Sequence, residues 1–304
     1  MRKTLLAPLL ALSLAASHCL AGPSFDRLYA FGDSYSDNGA SERLTRDMLA
    51  HQIKDAQQLP GELYWQGRWS NGLTAVEVLA KRLDLPLADH AVGGAKSGRN
   101  NYYAWMTAYR DTGVSGQIDD YLAAAKGQAD PRALYFIFIS ANDFFEYADF
   151  GHQEPLDALA ASSLEHIQAA VSRLAGAGAR HFLVVGSTDL SHAPAVVAGG
   201  QSEQARHYQG ILQQQLPPLL TAASQKLGVQ ISYFDHIAFS DQLRRQPAEH
   251  GLTQLDQPCQ PTYPEVKPAC ADPDRYFYWD EWHPTRKVHA LAGEAMAKVL
   301  GQAH

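Results

Sequence analysis

The sequence predicts an α/β fold, a doubly wound domain built on a parallel sheet, and three observations carry that prediction. Apolar runs of strand length alternate with stretches of helical periodicity, in five strand-then-helix units without a repeat. One of these runs, Ala133-Leu134-Tyr135-Phe136-Ile137-Phe138-Ile139, is apolar on both faces, as a central strand covered by helices on each side requires. The chain has 304 residues, 46% hydrophobic and 19% charged, which is enough for a substantial core and argues against disorder.

Taken in order, the chain opens on Met1-Arg2-Lys3 and an apolar run from Leu5 to Ala16. That run falls short of the ~20 residues of a membrane span, so residues 1–21 read as a secretory signal peptide. Cleavage after Ala21, with Cys19 and Ala21 as the small residues at the site, leaves a single domain over 22–304, secreted or periplasmic. His18 stands before Cys19 where a lipoprotein signal wants a small residue, which argues against a lipid anchor. The formal charge of −7 becomes −9 in the mature chain, with 23 basic against 32 acidic residues. Such a surface repels nucleic acid and anionic membranes.

The first strand is expected at about 27–31 and runs into Phe31-Gly32-Asp33-Ser34-Tyr35-Ser36-Asp37-Asn38. After the turn-like Gly67-Arg68-Trp69-Ser70-Asn71-Gly72, a helix is expected over 73–83, then a short strand over 88–92 leading into Gly93-Gly94-Ala95. A helix near 117–125 precedes the central strand, which ends at Ser140-Ala141-Asn142-Asp143. A helix over 156–175, a strand over 181–185, a helix over 201–227 and a strand over 231–234 follow. Residues 244–278 break the pattern: six prolines and both mature cysteines predict a long ordered loop, of the kind that forms lids or binding elements. An even cysteine count in an exported chain reads as a disulfide, Cys259 to Cys270, closing the loop 259–270. The last helix is expected to begin at Pro284, with Val288, Leu291, Ala292, Ala295, Met296, Val299 and Leu300 at helical spacing.

A buried strand that stops at a glycine and hands on to a serine delivers a hydroxyl to the carboxyl edge of the sheet, which makes Ser34 the candidate nucleophile. A serine needs a base, a group that orients the base, and donors for an oxyanion. Asp280-Glu281-Trp282-His283 offers the first two, with Asp280 holding one imidazole nitrogen of His283 and the other facing Ser34. On its own that spacing equally fits a helix-capping Asp280 and a surface His283. Gly94 (or its neighbour Gly93) and Asn142, each just past a strand end, offer donors beside the N–H of Ser34, although they also read as a tight turn and a helix cap. The 13 histidines lack metal-ligand pairing at a strand or helix end, so no metal and no cofactor is expected. A Gly-x-Ser-x-Gly elbow fits poorly, because Ser36 replaces the second glycine.

Gly32-Asp33-Ser34 with Asp37, then Gly94, then Asn142-Asp143, then Asp280-x-x-His283 together resemble the four blocks of the GDSL, or SGNH, hydrolase family. The resemblance spans essentially the mature chain and implies a three-layer α/β/α sandwich with a five-stranded parallel sheet, the flavodoxin-like SGNH hydrolase fold. It assigns Ser34 as nucleophile, His283 as base and then acid, Asp280 as its orienter, and Ser34, Gly94 and Asn142 as oxyanion donors. Two positions depart from the pattern, Tyr35 for the Leu of the family name and Ser140 for a Gly. The chain is most similar to secreted bacterial lysophospholipases A and glycerophospholipid:cholesterol acyltransferases. That implies a lipid substrate, an alcohol acceptor such as a sterol, and an activating protease that nicks the loop 259–270. The alternatives within the family are a broad-specificity short-chain carboxylesterase and a carbohydrate deacetylase. Tyr102, Tyr103, Trp105, Met106 and Tyr109, with Phe144, Phe145, Tyr147 and Phe150, are expected to divide between core and an acyl-chain wall.

Overall fold

The computed structural model describes residues 25–302. The signal-peptide reading of 1–21, with Cys19 and the cleavage site, lies outside the described residues.

Five parallel strands form the central sheet: β1 (Leu28–Gly32), β2 (Leu87–Asp89), β3 (Leu134–Phe138), β4 (His181–Val185) and β5 (Gln230–Phe234), in the order β2-β1-β3-β4-β5. Register is continuous across the middle, with Leu28 opposite Leu134, Leu134 opposite His181 and Gly32 opposite Phe138. All five residues of β3 are buried, as its two-faced apolar sequence demands. The cover comes from two sets of helices. One set is α4 (Val114–Ala124), α6 (Leu156–Ala177) and α8 (Ser202–Leu227), packed side by side; the other is α2 (Ala75–Arg82) against α10 (Arg286–Gln302). This is the three-layer α/β/α sandwich in flavodoxin-like strand order. The order reverses between β1 and β3, so the crevice beyond their carboxyl ends is the place where such a sheet holds its chemistry.

The remaining helices are α1 (Ala40–Ala50), α3 (Ala104–Tyr109), α5 (Ala141–Phe150), α7 (Pro194–Ala198) and α9 (His236–Arg245). Helical pattern did not reveal α1, because the residues it buries are Ser41, Thr45 and Met48, two of them polar. The ordered loop expected over 244–278 also holds regular strand structure. Strands β6 (Gln254–Pro258) and β7 (Tyr276–Tyr278) pair in parallel as a second, two-stranded sheet within it. Pro284 does not open the last helix. It bridges Tyr278 instead, and Arg286 is the first helical residue. Proline's preference for a first turn gives way here to its bias of the preceding His283 toward extended backbone, which carries the chain into the bridge with Tyr278.

Candidate active site

Ser34 sits in a tight turn just past β1. The N–H groups of Ser36 and Asp37 both donate to Asp33 O at 3.0 Å, and Tyr35 N–H donates to Asp33 Oδ1 at 3.0 Å. Among the described residues, the Ser34 N–H has no partner. Asp37, fully buried, fixes what lies around this turn: Oδ1 accepts from Gly39 N at 2.8 Å and Ala40 N at 2.6 Å, at the start of α1. Its Oδ2 accepts from Gly93 N at 2.9 Å, so the same carboxylate ties the Gly93-Gly94 turn to the Ser34 turn.

That bond separates the two glycines. Gly93 N–H is occupied by Asp37 and by Ser41 Oγ at 2.8 Å, whereas Gly94 N–H has no partner among the described residues. Gly94 adopts φ +79°, a conformation that favours glycine. At Gly93 a Cβ would lie 2.3 Å from Trp69 Nε1, so the indole needs a residue without a side chain there. Asn101 secures the far side, donating from Nδ2 to Gly93 O at 2.9 Å.

Asn142 is the second residue of α5, directly after β3. Its Nδ2 donates one hydrogen to Ala95 O at 3.0 Å, and its second hydrogen has no partner among the described residues. Asp143 accepts from Ser97 N at 2.9 Å and Ser97 Oγ at 2.7 Å, which locks this helix start to the segment after Gly94. Ser140, at the position where a Gly was expected, takes φ 134° at the head of α5, a conformation L residues rarely adopt.

From the other end of the chain come Asp280 and His283. His283 Nδ1 donates to Asp280 Oδ2 at 2.7 Å, and Ser34 Oγ donates to His283 Nε2 at 2.8 Å. Asp280 is fully buried and saturated. Oδ1 accepts from Trp282 N at 2.8 Å and His283 N at 2.6 Å, while Oδ2 also accepts from Tyr64 O–H at 2.6 Å. Burial pushes this carboxyl up, but the His283 charge and the bonds from His283, Tyr64 and Trp282 outweigh it and hold the group below the usual carboxylate range. Asp33 shows the opposite balance. Burial drives it up to about 7, with the Tyr35 N–H and the His283 charge offsetting only part of the rise.

The turn 280–283 is held from several segments. Trp279 N donates to His283 O at 2.7 Å, Ala195 N to Glu281 O at 3.0 Å, Tyr35 O–H to Trp282 O at 2.7 Å and Ser70 Oγ to Pro284 O at 2.7 Å. Trp69 lies against the imidazole, ring centroids 5.3 Å apart. Cys259 and Cys270 are joined in a disulfide, and the loop it closes abuts this turn. The structure thus brings Ser34, Gly94, Asn142, Asp280 and His283 to one crevice at the sheet's reversal point. Tyr64 escaped the sequence reading, since it stands in a stretch without periodicity and its bond to Asp280 spans 216 positions. Among the described residues, no group of three or more His, Cys, Asp or Glu could hold a metal ion. Nor is any helix there long and apolar enough to cross a membrane.

The arrangement can do acyl-transfer chemistry. A hydroxyl bonded to an oriented imidazole can be deprotonated as it attacks, and unpaired N–H groups beside it can take up negative charge on an ester oxygen. Comparison with known proteins identifies the family. A profile of the family described as GDSL-like Lipase/Acylhydrolase matches residues 28–296. A thermolabile hemolysin from Vibrio parahaemolyticus is 29% identical over 290 residues, or 89% of this chain, which spans 63% of the hemolysin's length. A phosphatidylcholine-sterol acyltransferase from Aeromonas hydrophila is 24% identical, with 96% of this chain and 94% of that one covered. Among solved structures, an acetylxylan esterase from Geobacillus stearothermophilus is similar at TM-score 0.47 and 12% identity, covering 91% of this chain and 94% of its own. The matched residues run from the start of β1 to within α10 and take in all five residues of the crevice, and the chain belongs to the GDSL-like lipase/acylhydrolase family.

Proposed function

We propose that the protein is an exported serine ester hydrolase acting on lipids, a phospholipase or lysophospholipase A working through an acyl-enzyme, with acyl transfer to an alcohol such as a sterol as its second outcome. The observation that carries this reading is the relay from Ser34 Oγ to His283 Nε2 at 2.8 Å and from His283 Nδ1 to Asp280 Oδ2 at 2.7 Å, in a member of an ester hydrolase family. As Oγ attacks the ester carbon, His283 takes its proton. The N–H groups of Ser34 and Gly94 and the Asn142 amide hold the oxyanion. His283 then protonates the departing alcohol, leaving an acyl-enzyme on Ser34. Water attacks that acyl group and yields its proton to His283, which returns it to Ser34 as the acid leaves. An alcohol in place of water gives a new ester.

The lipid preference has its own support. Tyr102 packs on Phe150, ring centroids 5.4 Å apart, and Phe150 is 62% exposed, whereas Met106 and Phe144 are fully buried and belong to the core. Tyr102 and Phe150 lie just beyond Gly94 and Asn142 in the chain, and an apolar wall there stabilises a fatty chain by about 0.8 kcal/mol per buried methylene. The relative named phosphatidylcholine-sterol acyltransferase supports a lipid acyl donor and an alcohol acceptor.

Product analysis on defined phospholipids and lysophospholipids, with and without a sterol, tests the proposal against a Ser34→Ala variant. Free fatty acid from the parent, steryl ester when sterol is present, and neither from the variant are the expected results. A nitrophenyl ester series in which acetyl is the best substrate would turn the reading to a short-chain carboxylesterase or carbohydrate deacetylase. Activation by a protease is a further part of the proposal, directed at the exposed tip of the loop 259–270, where Val266 is 63% exposed. Nicked and intact protein assayed side by side should differ on lipid; equal rates remove the protease from the account. Export requires the mature chain to begin near Gly22, which N-terminal sequencing of protein recovered outside the cytoplasm reads directly.

A further inference from the structure

Glu281 lies between Asp280 and Trp282 in the turn that carries His283, yet its carboxylate serves another part of the chain. It is only 6% exposed and has no Lys or Arg partner among the described residues. Its Oε1 accepts from Thr262 N at 2.9 Å and Tyr263 N at 3.2 Å, and its Oε2 from Thr262 Oγ1 at 2.5 Å and Thr262 N at 3.2 Å. All these donors belong to the loop 259–270. A buried carboxylate without its donors is strongly disfavoured, so the loop and the turn must keep the same relative position.

The rest of the loop is built to hold those donors still. Cys259 N donates to Tyr278 O at 3.1 Å and Gln260 N to Trp279 O at 2.6 Å, extending the pairing alongside β7 up to Asp280. Across the loop, Cys270 N donates to Cys259 O at 2.6 Å, and the buried Gln260 amide donates to Pro261 O at 3.1 Å and Lys267 O at 2.7 Å. The Tyr263 ring meets Trp282 at 6.4 Å between centroids. Asp280 therefore fixes the inner side of the turn, and the disulfide-closed loop fixes its outer side through the Glu281 carboxylate and the Tyr263–Trp282 contact.

We infer that Glu281 is a positioning residue for His283: through Thr262 and Tyr263 it holds the turn 280–283 at the place where the imidazole meets Ser34. The inference rests on Ser34 and His283 being nucleophile and base. It turns the loop 259–270 from a cover over the site into one of the supports of its base.

The test uses the full-length protein with Glu281→Ala, Glu281→Gln and Thr262→Val. Three quantities are read: kcat and KM on a small soluble nitrophenyl ester, the rate of Ser34 labelling by a fluorophosphonate, and the melting temperature. A displacement of about 1 Å at a catalytic group costs up to about 100-fold. Glu281→Ala is expected to lower kcat and the labelling rate together by about 10- to 100-fold, with KM changed by less than about two-fold. Glu281→Gln keeps an acceptor for the two N–H groups and can donate to the Thr262 hydroxyl, so it should stay within about three-fold of the parent. Thr262→Val retains its backbone donor and should fall between them. A folded Glu281→Ala with parental kcat and labelling overturns the inference, as does a loss confined to melting temperature, or equal losses in Glu281→Gln and Glu281→Ala. Should Glu281→Ala not fold, parental rates in Thr262→Val overturn it. Full activity in Ser34→Ala would instead sink the reading beneath it, and that outcome is separate from all of these.

Discussion

Asp33, the residue before the candidate nucleophile, is 1% exposed, and among the described residues its carboxylate accepts a single hydrogen bond, from Tyr35 N–H. Burial raises it to about 7, so between the ordinary carboxylate range and that value the folded chain keeps a proton that the unfolded chain has lost. Its contribution to stability therefore falls as pH rises through that window and levels off above it. The buried His289 and His236 tilt the other way, because burial lowers them to about 3 and about 4 and the unfolded chain takes up protons first as the solution is acidified. Only a difference isolates Asp33. Asp33→Asn, which keeps an acceptor for Tyr35 N–H, should gain stability relative to the parent from pH 4 to pH 8, by up to about 4 kcal/mol at the alkaline end. Denaturant titrations of both proteins at the two pH values check it, and parallel profiles would mean that Asp33 ionises normally. At this scale the sequence exposed the candidate site residues, since Ser34, Gly94, Asn142, Asp280 and His283 each follow a strand end or precede a helix. It hid the bonds that hold them, from Tyr64 to Asp280, from Gly93 to Asp37 and from Thr262 and Tyr263 to Glu281, because none joins neighbours in the chain.

Helix α4 shows what an element contributes beyond its apolar face. Gln117, 4% exposed, accepts from Gly32 N at 3.0 Å and donates to Gly32 O at 2.8 Å and to Thr112 O at 2.8 Å. A side chain from a covering helix thus completes the end of β1 two residues before Ser34. Gln117→Leu fits the same space but strands the Gly32 N–H and the buried Thr112 C=O, at about 1–3 kcal/mol each, while Gly32 O keeps the Val92 N–H at 3.2 Å. Its urea midpoint should drop accordingly, and the rate of Ser34 labelling should fall with it; a change under about 0.5 kcal/mol would show that Gly32 finds other partners. The 3.6-residue period of α4, α6, α8 and α10 was visible because each has a long apolar face. Helix α1 buries Ser41 and Thr45 toward Asp37 and Leu59, so its period is carried by hydrogen bonds rather than by apolar side chains. Strands β6 and β7 have five and three residues, and β6 reads Gln-Leu-Asp-Gln-Pro, so neither carries a strand signal of its own.

Across the whole molecule, Arg244 joins the main sandwich to the small sheet from which the turn 280–283 departs. Its Nη1 donates to Asp256 Oδ1 at 2.9 Å and its Nη2 to Tyr278 O–H at 3.1 Å, Nε lies 3.6 Å from the buried Asp189 beyond β4, and the guanidinium covers Phe277 at 4.8 Å. Arg244→Met keeps the stem and removes the charge, leaving Asp189 with its hydrogen bonds from Ser191, Gln209 and Ser240 and with His192 at 4.0 Å. Breaking a buried pair from one side costs about 3–5 kcal/mol, and because those three bonds persist the loss should sit near the lower figure, as read by urea denaturation. A variant as stable as the parent would show that the two sheets dock on their apolar contacts. The sequence alone determined the alternation of strand and helix, the central strand and the four blocks of the family, because each is written in residues adjacent along the chain. Tertiary structure decided which glycine keeps a free N–H, what saturates Asp280 and what steadies the turn of His283. Those outcomes depend on hydrogen-bond partners tens to hundreds of residues apart, and a donor finds its acceptor only once the chain has closed around both.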